Sequence, residues 1–207
     1  MHWQVRGLQQ ALRQLHALHR TENRLRLDPM TDKANTVLIL IDVQRGFDDP
    51  FWGKRNNPDA EANIARLLDS WTGPLVLVRH DSTKPGSPLR PGQDGNRFKP
   101  ELDRANPDLV FAKNVNSAFH GEVDLDGWLK ARRITDIVLA GIQTNMCVET
   151  TARVGGNLGY RVRVVLDATF TFGLEDLTAD QLAQATATNL RGGGFAEIVT
   201  TPEVIQL

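Results

Sequence analysis

"ITDIVLAGIQTNMCVETTARVGGNLGYRVRVVL", Ile134 to Leu166, is the stretch on which the fold is decided. It opens and closes on short apolar runs, "ITDIVLA" and "RVRVVL". Between them Gly141 marks a sharp turn, and a helix follows that bears Cys147. A strand, a helix and a second strand in succession form the unit of a parallel sheet.

The same alternation runs outward in both directions. Further apolar runs are "TVLILI" at Thr36 to Ile41, "PLVLV" at Pro74 to Val78, "DLVFA" at Asp108 to Ala112 and "AEIVT" at Ala196 to Thr200. Several lack polar alternation, as strands covered on both faces do. One predicted helix has Asn57-Pro58 as cap and first-turn proline, followed by an apolar stripe of Ile64, Leu67, Leu68 and Trp71. Others carry Leu125, Trp128 and Leu129, and Leu182, Ala185 and Leu190. The pattern predicts an α/β domain over residues 34–207: a doubly wound, mostly parallel six-stranded sheet with helices on both faces.

Composition narrows the function classes. The chain has 207 residues, 41% hydrophobic and 24% charged, which suits one globular domain with a substantial core. A formal net charge of -1 provides no global field to recruit nucleic acid or anionic lipid. No apolar run reaches the roughly 18 residues of a membrane span, and a single cysteine allows no internal disulfide. The expected setting is the reducing cytoplasm. Residues 1–33 are read apart from the domain. They carry Arg6, Arg13, Arg20, Arg24 and Arg26 with leucines at helical spacing, and Met30 directly precedes "TDKANTVLIL". A mis-called start or dispensable extension, a helix packed on the domain or a neighbouring subunit, and a targeting segment are the three readings.

Ligands of open α/β sheets bind beyond the carboxyl ends of the strands. The first run ends in Asp42, the second in Arg79 and His80, the third in Lys113, and the fourth leads through Gly141 to Cys147. A carboxylate, an ammonium and the only thiol thus meet on one edge. Each has a plain structural reading too: a loop cap, a solvated lysine, a small buried hydrophobe. Together they suit nucleophilic chemistry. A cation and a helix N-terminus would depress the thiol pKa below its free value of about 8.5. The carboxylate would take the thiol proton and return it to a leaving amine. Backbone N-H groups at the turn would hold an oxyanion.

"LILIDVQRGF", "FAKNVNSAF" and "LAGIQTNMCVETTARVGGNLGYRVRVVLDAT" resemble the isochorismatase-like cysteine hydrolases, the superfamily of nicotinamidases, N-carbamoylsarcosine amidases and ureidoacrylate amidases. The resemblance covers Thr36 to the C-terminus. It implies a Rossmann-type three-layer sandwich and a triad of Asp42 as general base and acid, Lys113 as the cation holding the thiolate, and Cys147 as nucleophile. It further implies a non-proline cis peptide at Ile142-Gln143, with the Gln143 and Cys147 amides as the oxyanion hole. A homo-oligomer, dimer or tetramer, is the expected assembly.

Departures from the pattern narrow the chemistry. Nicotinamidases bind a metal through an Asp-x-His element after the second strand; here Val78 stands where that aspartate would be. His80 remains, the next histidine is His120, and neither a metal nor another cofactor is expected. True isochorismatases cleave a vinyl ether and lack the cysteine, so Cys147 points to acyl transfer. Gln44, Phe47, His80, Asn116 and Phe119 are the candidate substrate contacts, with Trp52 weaker. The long proline- and glycine-rich loop after His80 is a candidate lid or subunit contact. The expected activity is metal-independent cleavage of a C-N bond in a small amide or carbamoyl compound through a thioester. The alternatives are a nicotinamidase-type amidase, an isochorismatase-type hydrolase, and a catalytically silent binding protein.

Overall fold

Six consecutive apolar or β-branched residues, all buried, make β1 (Thr36–Ile41) a central strand. The strand β4 (Asp136–Ile142) is likewise buried throughout. Around them lie β2 (Leu75–His80), β3 (Leu109–Lys113), β5 (Arg161–Phe170) and β6 (Glu197–Val199). Their order is β3-β2-β1-β4-β5-β6, and every neighbouring pair is parallel. A computed structural model describes residues 35–206; the expectation for residues 1–33 lies outside them. No helix among the described residues is long and apolar enough to cross a membrane.

Alternate residues of β1 feed opposite faces of the sheet. Val37, Ile39 and Ile41 join one cluster with Leu125 and Leu129 of α2 (Leu125–Ala131), Ala152 of α3 (Glu149–Asn157) and Leu190 of α4 (Ala179–Gly192). The opposite face is covered by α1 (Ala60–Ser70), which buries Ile64 and Leu67 and packs against α5 (Thr201–Ile205) and β5. Right-handed crossovers require this division, because the chain moves outward to β3 and then back past β1.

Two helices differ in detail from the sequence expectation. α1 starts at Ala60, and Asn57 adopts φ +43 instead of capping it. The Asn57 amide donates to the Asp167 and Thr169 carbonyls at 2.9 and 2.6 Å, so this residue ties the loop to β5. In α4 the buried face is Ala179, Ala183, Thr186, Ala187 and Leu190, whereas Ala185 is exposed. Small side chains let that helix lie close to α3, where Thr186 donates to Glu149 at 2.6 Å.

The direction of strand addition reverses between β1 and β4, and this is where a doubly wound sheet opens a crevice. Ile41 and Gly141 are register partners there. Gly141 has φ +124, and a Cβ on it would lie 2.0 Å from the Ile41 carbonyl oxygen. Only glycine satisfies both conditions. Gly141→Ala is therefore expected to destabilise the fold by about 3 kcal/mol or more, or to yield insoluble protein. Urea unfolding of the variant checks this, and a midpoint equal to that of the wild type would refute it.

Candidate active site

Asp42 is the first residue beyond β1, its N-H bonded to the Val78 carbonyl at 2.8 Å. Its φ of +54 turns the chain away from the sheet, in a region that Asp tolerates better than most residues. Lys113 closes β3 and is the register partner of His80 at the end of β2. Cys147 lies in a single π-helical turn, Thr144–Val148, between β4 and α3. Such turns recur at functional sites because they displace one side chain from the helical repeat. The Ile142-Gln143 peptide is cis.

The three side chains converge. Lys113 Nζ donates to Asp42 Oδ2 at 2.7 Å and to Cys147 Sγ at 3.3 Å. The Asp42 and Lys113 side chains are both 0% exposed. His80 Nδ1 is 3.3 Å from the same Nζ, and Cys147 Sγ is 3.8 Å from Asn116 Oδ1. The other carboxylate oxygen, Asp42 Oδ1, is buried without a hydrogen-bond partner.

Burial opposes the charge on Lys113, yet the neighbouring Asp42 charge and Cys147 outweigh it and hold the ammonium pKa above its usual value. The thiol behaves differently from the sequence expectation. Burial first, and then the Asp42 charge, push Cys147 well above the ordinary thiol range, against the opposing pull of Lys113. Burial disfavours the thiolate because the wall that shelters Sγ also removes the water that the charge would need. His80 is shifted downward, mainly by burial with a contribution from Lys113, while Asp42 and Asp81 pull the other way. The neutral imidazole is thereby favoured.

A cavity of about 470 Å³ opens beside Sγ. Phe47, His80 and Asn116 line it as expected, with Asp42, Gln143 and Cys147 at its base. Two expected wall residues lie elsewhere. Gln44 is fully buried, and its amide is consumed by main chain: Nε2 donates to the His80 and Asn96 carbonyls, and Oε1 accepts from the His80 N-H. It clamps the end of β2. Phe119 stacks on Tyr160 with ring centroids 6.0 Å apart and packs against the main core cluster.

Other wall residues were not singled out from the sequence. Met146 precedes the thiol, Asn114 follows Lys113, and Ser82, Lys84 and Leu89 come from the long loop. That loop is anchored through Asn96, whose Nδ2 lies 2.9 to 3.1 Å from the His80 and Leu89 carbonyls and the Asp81 carboxylate. A lone buried asparagine among Gly, Pro and Arg gives no periodic signal.

Asp42, His80 and Cys147 each offer a potential ligand atom, all within 4.8 Å of one another. Lys113 Nζ lies 2.7 to 3.3 Å from atoms of these same three residues. The cation at the centre of the group is thus the ammonium.

Comparison with known proteins identifies the family. The Isochorismatase domain model matches residues 36–203. The uncharacterized isochorismatase family protein YrdC of Bacillus subtilis is 37% identical over 82% of this chain and 94% of its own. Nicotinamidase 3 of Arabidopsis thaliana is 30% identical over 80% of this chain and 74% of its own. A solved isochorismatase-family structure from Chromobacterium violaceum superposes with a TM-score of 0.79 at 37% identity, covering 86% of this chain and 94% of that one. The chain belongs to the isochorismatase-like cysteine hydrolase family.

Proposed function

We propose that this isochorismatase-family hydrolase cleaves the C-N bond of a small amide or carbamoyl compound through a thioester on Cys147, without a metal. The observation that carries the reading is the unpartnered buried oxygen of Asp42 in the same pocket as the thiol. A buried carboxylate oxygen with no donor is costly, and the Cys147 thiol, whose sulfur lies within 4.8 Å of this carboxylate, carries a proton able to satisfy it. As Sγ attacks the acyl carbon, Asp42 takes the proton, and the N-H groups of Gln143 and Cys147 receive the oxyanion. Collapse breaks the C-N bond, and Asp42 passes the proton to the departing nitrogen. Water then attacks the thioester with Asp42 again as base, and the acid and free thiol are regenerated.

The ammonium of Lys113 at the centre of the only group of three potential ligands among the described residues supports a reaction that needs no metal. Walls of Phe47, Trp52, Leu89 and Met146 suit a small, partly apolar acyl group. The name of the Arabidopsis relative makes nicotinamide one amide to test, beside aliphatic amides and ureides.

Cys147→Ala and Cys147→Ser are expected to lose at least about a thousandfold in ammonia release while keeping the wild-type unfolding curve. Wild-type protein should be insensitive to EDTA and should yield an acyl adduct on Cys147 by mass spectrometry after rapid acid quench. Wild-type rates in Cys147→Ala would remove the nucleophile, and loss of turnover with EDTA would remove the metal-free mechanism.

The electrostatics give a second test with a definite sign. The Asp42 charge raises the Cys147 pKa, so Asp42→Asn should lower it. Iodoacetamide should then alkylate Asp42→Asn faster than wild type at pH 7, by about threefold for each unit the pKa falls, because the larger thiolate fraction is partly offset by weaker nucleophilicity. Turnover should vanish in the same variant. Alkylation at the wild-type rate would show that the carboxylate does not act on the thiol, and slower alkylation would show that its action as a base outweighs its charge.

A further inference from the structure

The ammonium of Lys113 has three N-H donors and no acceptor. Three atoms meet it: Asp42 Oδ2 at 2.7 Å, Cys147 Sγ at 3.3 Å and His80 Nδ1 at 3.3 Å. A ring nitrogen facing an ammonium can only accept, so the imidazole proton must reside on Nε2. No hydrogen bond to Nε2 is made among the described residues, and the ring lines the cavity beside the thiol.

The His80 main chain is held with equal care. Gln44 Oε1 accepts its N-H at 2.8 Å, and Gln44 Nε2 and Asn96 Nδ2 donate to its carbonyl at 3.0 and 3.1 Å. Two buried amide side chains therefore fix the end of β2 from which the ring projects. The charged groups acting on the ring are Asp42, Lys113, Asp81 and Lys84.

We infer that His80 is a positioning residue: its Nδ1 accepts the third proton of Lys113 and so holds the ammonium between Asp42 and Cys147, leaving a neutral Nε2-H toward the cavity. Without that acceptor Nζ has one unsatisfied donor, which water or a rotated side chain would satisfy at the expense of the Sγ contact. The inference deepens the cysteine hydrolase reading, and rests on it only for the meaning of the Sγ contact in turnover.

The test needs no substrate. In the full-length 15N-labelled protein at pH 7, the His80 imidazole should show an unprotonated Nδ1 and a protonated Nε2. A protonated Nδ1, in either the other tautomer or an imidazolium, overturns the proposal. Two variants give an independent readout. His80→Leu keeps bulk without an acceptor, and should slow iodoacetamide alkylation of Cys147 at pH 7 by about tenfold. His80→Asn places an amide oxygen near the Nδ1 position, and should recover alkylation to within about threefold of wild type. Equal rates for His80→Leu and wild type, or no recovery in a folded His80→Asn, would each overturn it. Should His80→Leu fail to fold, the tautomer decides alone. If neither nicotinamide nor any aliphatic amide or ureide is turned over while the tautomer and alkylation results hold, the hydrolase reading fails and the role of His80 stands.

Discussion

A carboxylate and an ammonium, both wholly removed from water, are the constraint around which this molecule is arranged. Burying two charges costs several kcal/mol each before their attraction is counted, and the pair is tolerated only when nearby groups complete its hydrogen bonds. Lys113 is completed by Cys147 and His80. Asp42 is not: its second oxygen has no hydrogen-bond partner, a deficit that among the described residues it shares with Asp136 Oδ1. The stability of the sheet must carry such deficits, and the apolar side chains buried along β1 and β4 provide it.

The pair can exist only because the sheet changes direction at its centre. Asp42 follows Ile41 at the end of β1, level with Gly141 near the end of β4, while Lys113 reaches in from the edge past the end of β2. The edge strand is itself tied down: the Ala112 carbonyl accepts the Glu122 N-H at 3.0 Å. Gln44 and Asn96 extend the same anchoring into the long loop, so that the loop joins the wall as a fixed element. Lys99 adds a second buried link, 3.0 Å from Glu61 of α1. Loops that carry site residues are thus anchored where they meet the strand ends.

The sequence made the strands legible because both faces of the central ones are covered, which leaves continuous apolar runs. Asp42, Lys113 and Cys147 were legible because the carboxyl end of each run could be read directly. Other features had no local signal. Gln44 lies one residue beyond buried Val43 and looks like a pocket group, but its partners are 36 and 52 residues away. Phe119 and Phe47 sit in similar loops, and only the packing sends one to Tyr160 and the other to the cavity. The sign of the Cys147 shift was misread because sequence position reveals a nearby lysine but not how completely the site excludes water. The α4 face was only partly legible because, apart from Leu190, its buried residues are alanines and a threonine, which hydrophobicity ranks below Leu182.

A thiol at rest suits the proposed chemistry better than a preformed thiolate would. With Asp42 ionised, Lys113 charged and Cys147 neutral, the buried cluster has zero net charge. Moving the proton from Sγ to Asp42 leaves a thiolate, an ammonium and a neutral acid, and the net charge is still zero. No uncompensated charge is created in a medium of low dielectric, so the desolvation penalty that holds the thiol protonated is largely redistributed. What must change is where the negative charge resides, and an acyl carbon beside Sγ provides the destination by carrying it on to the oxyanion. Lys113 lies within hydrogen-bond distance of both the carboxylate and the sulfur, and so it balances the charge before and after the transfer without moving.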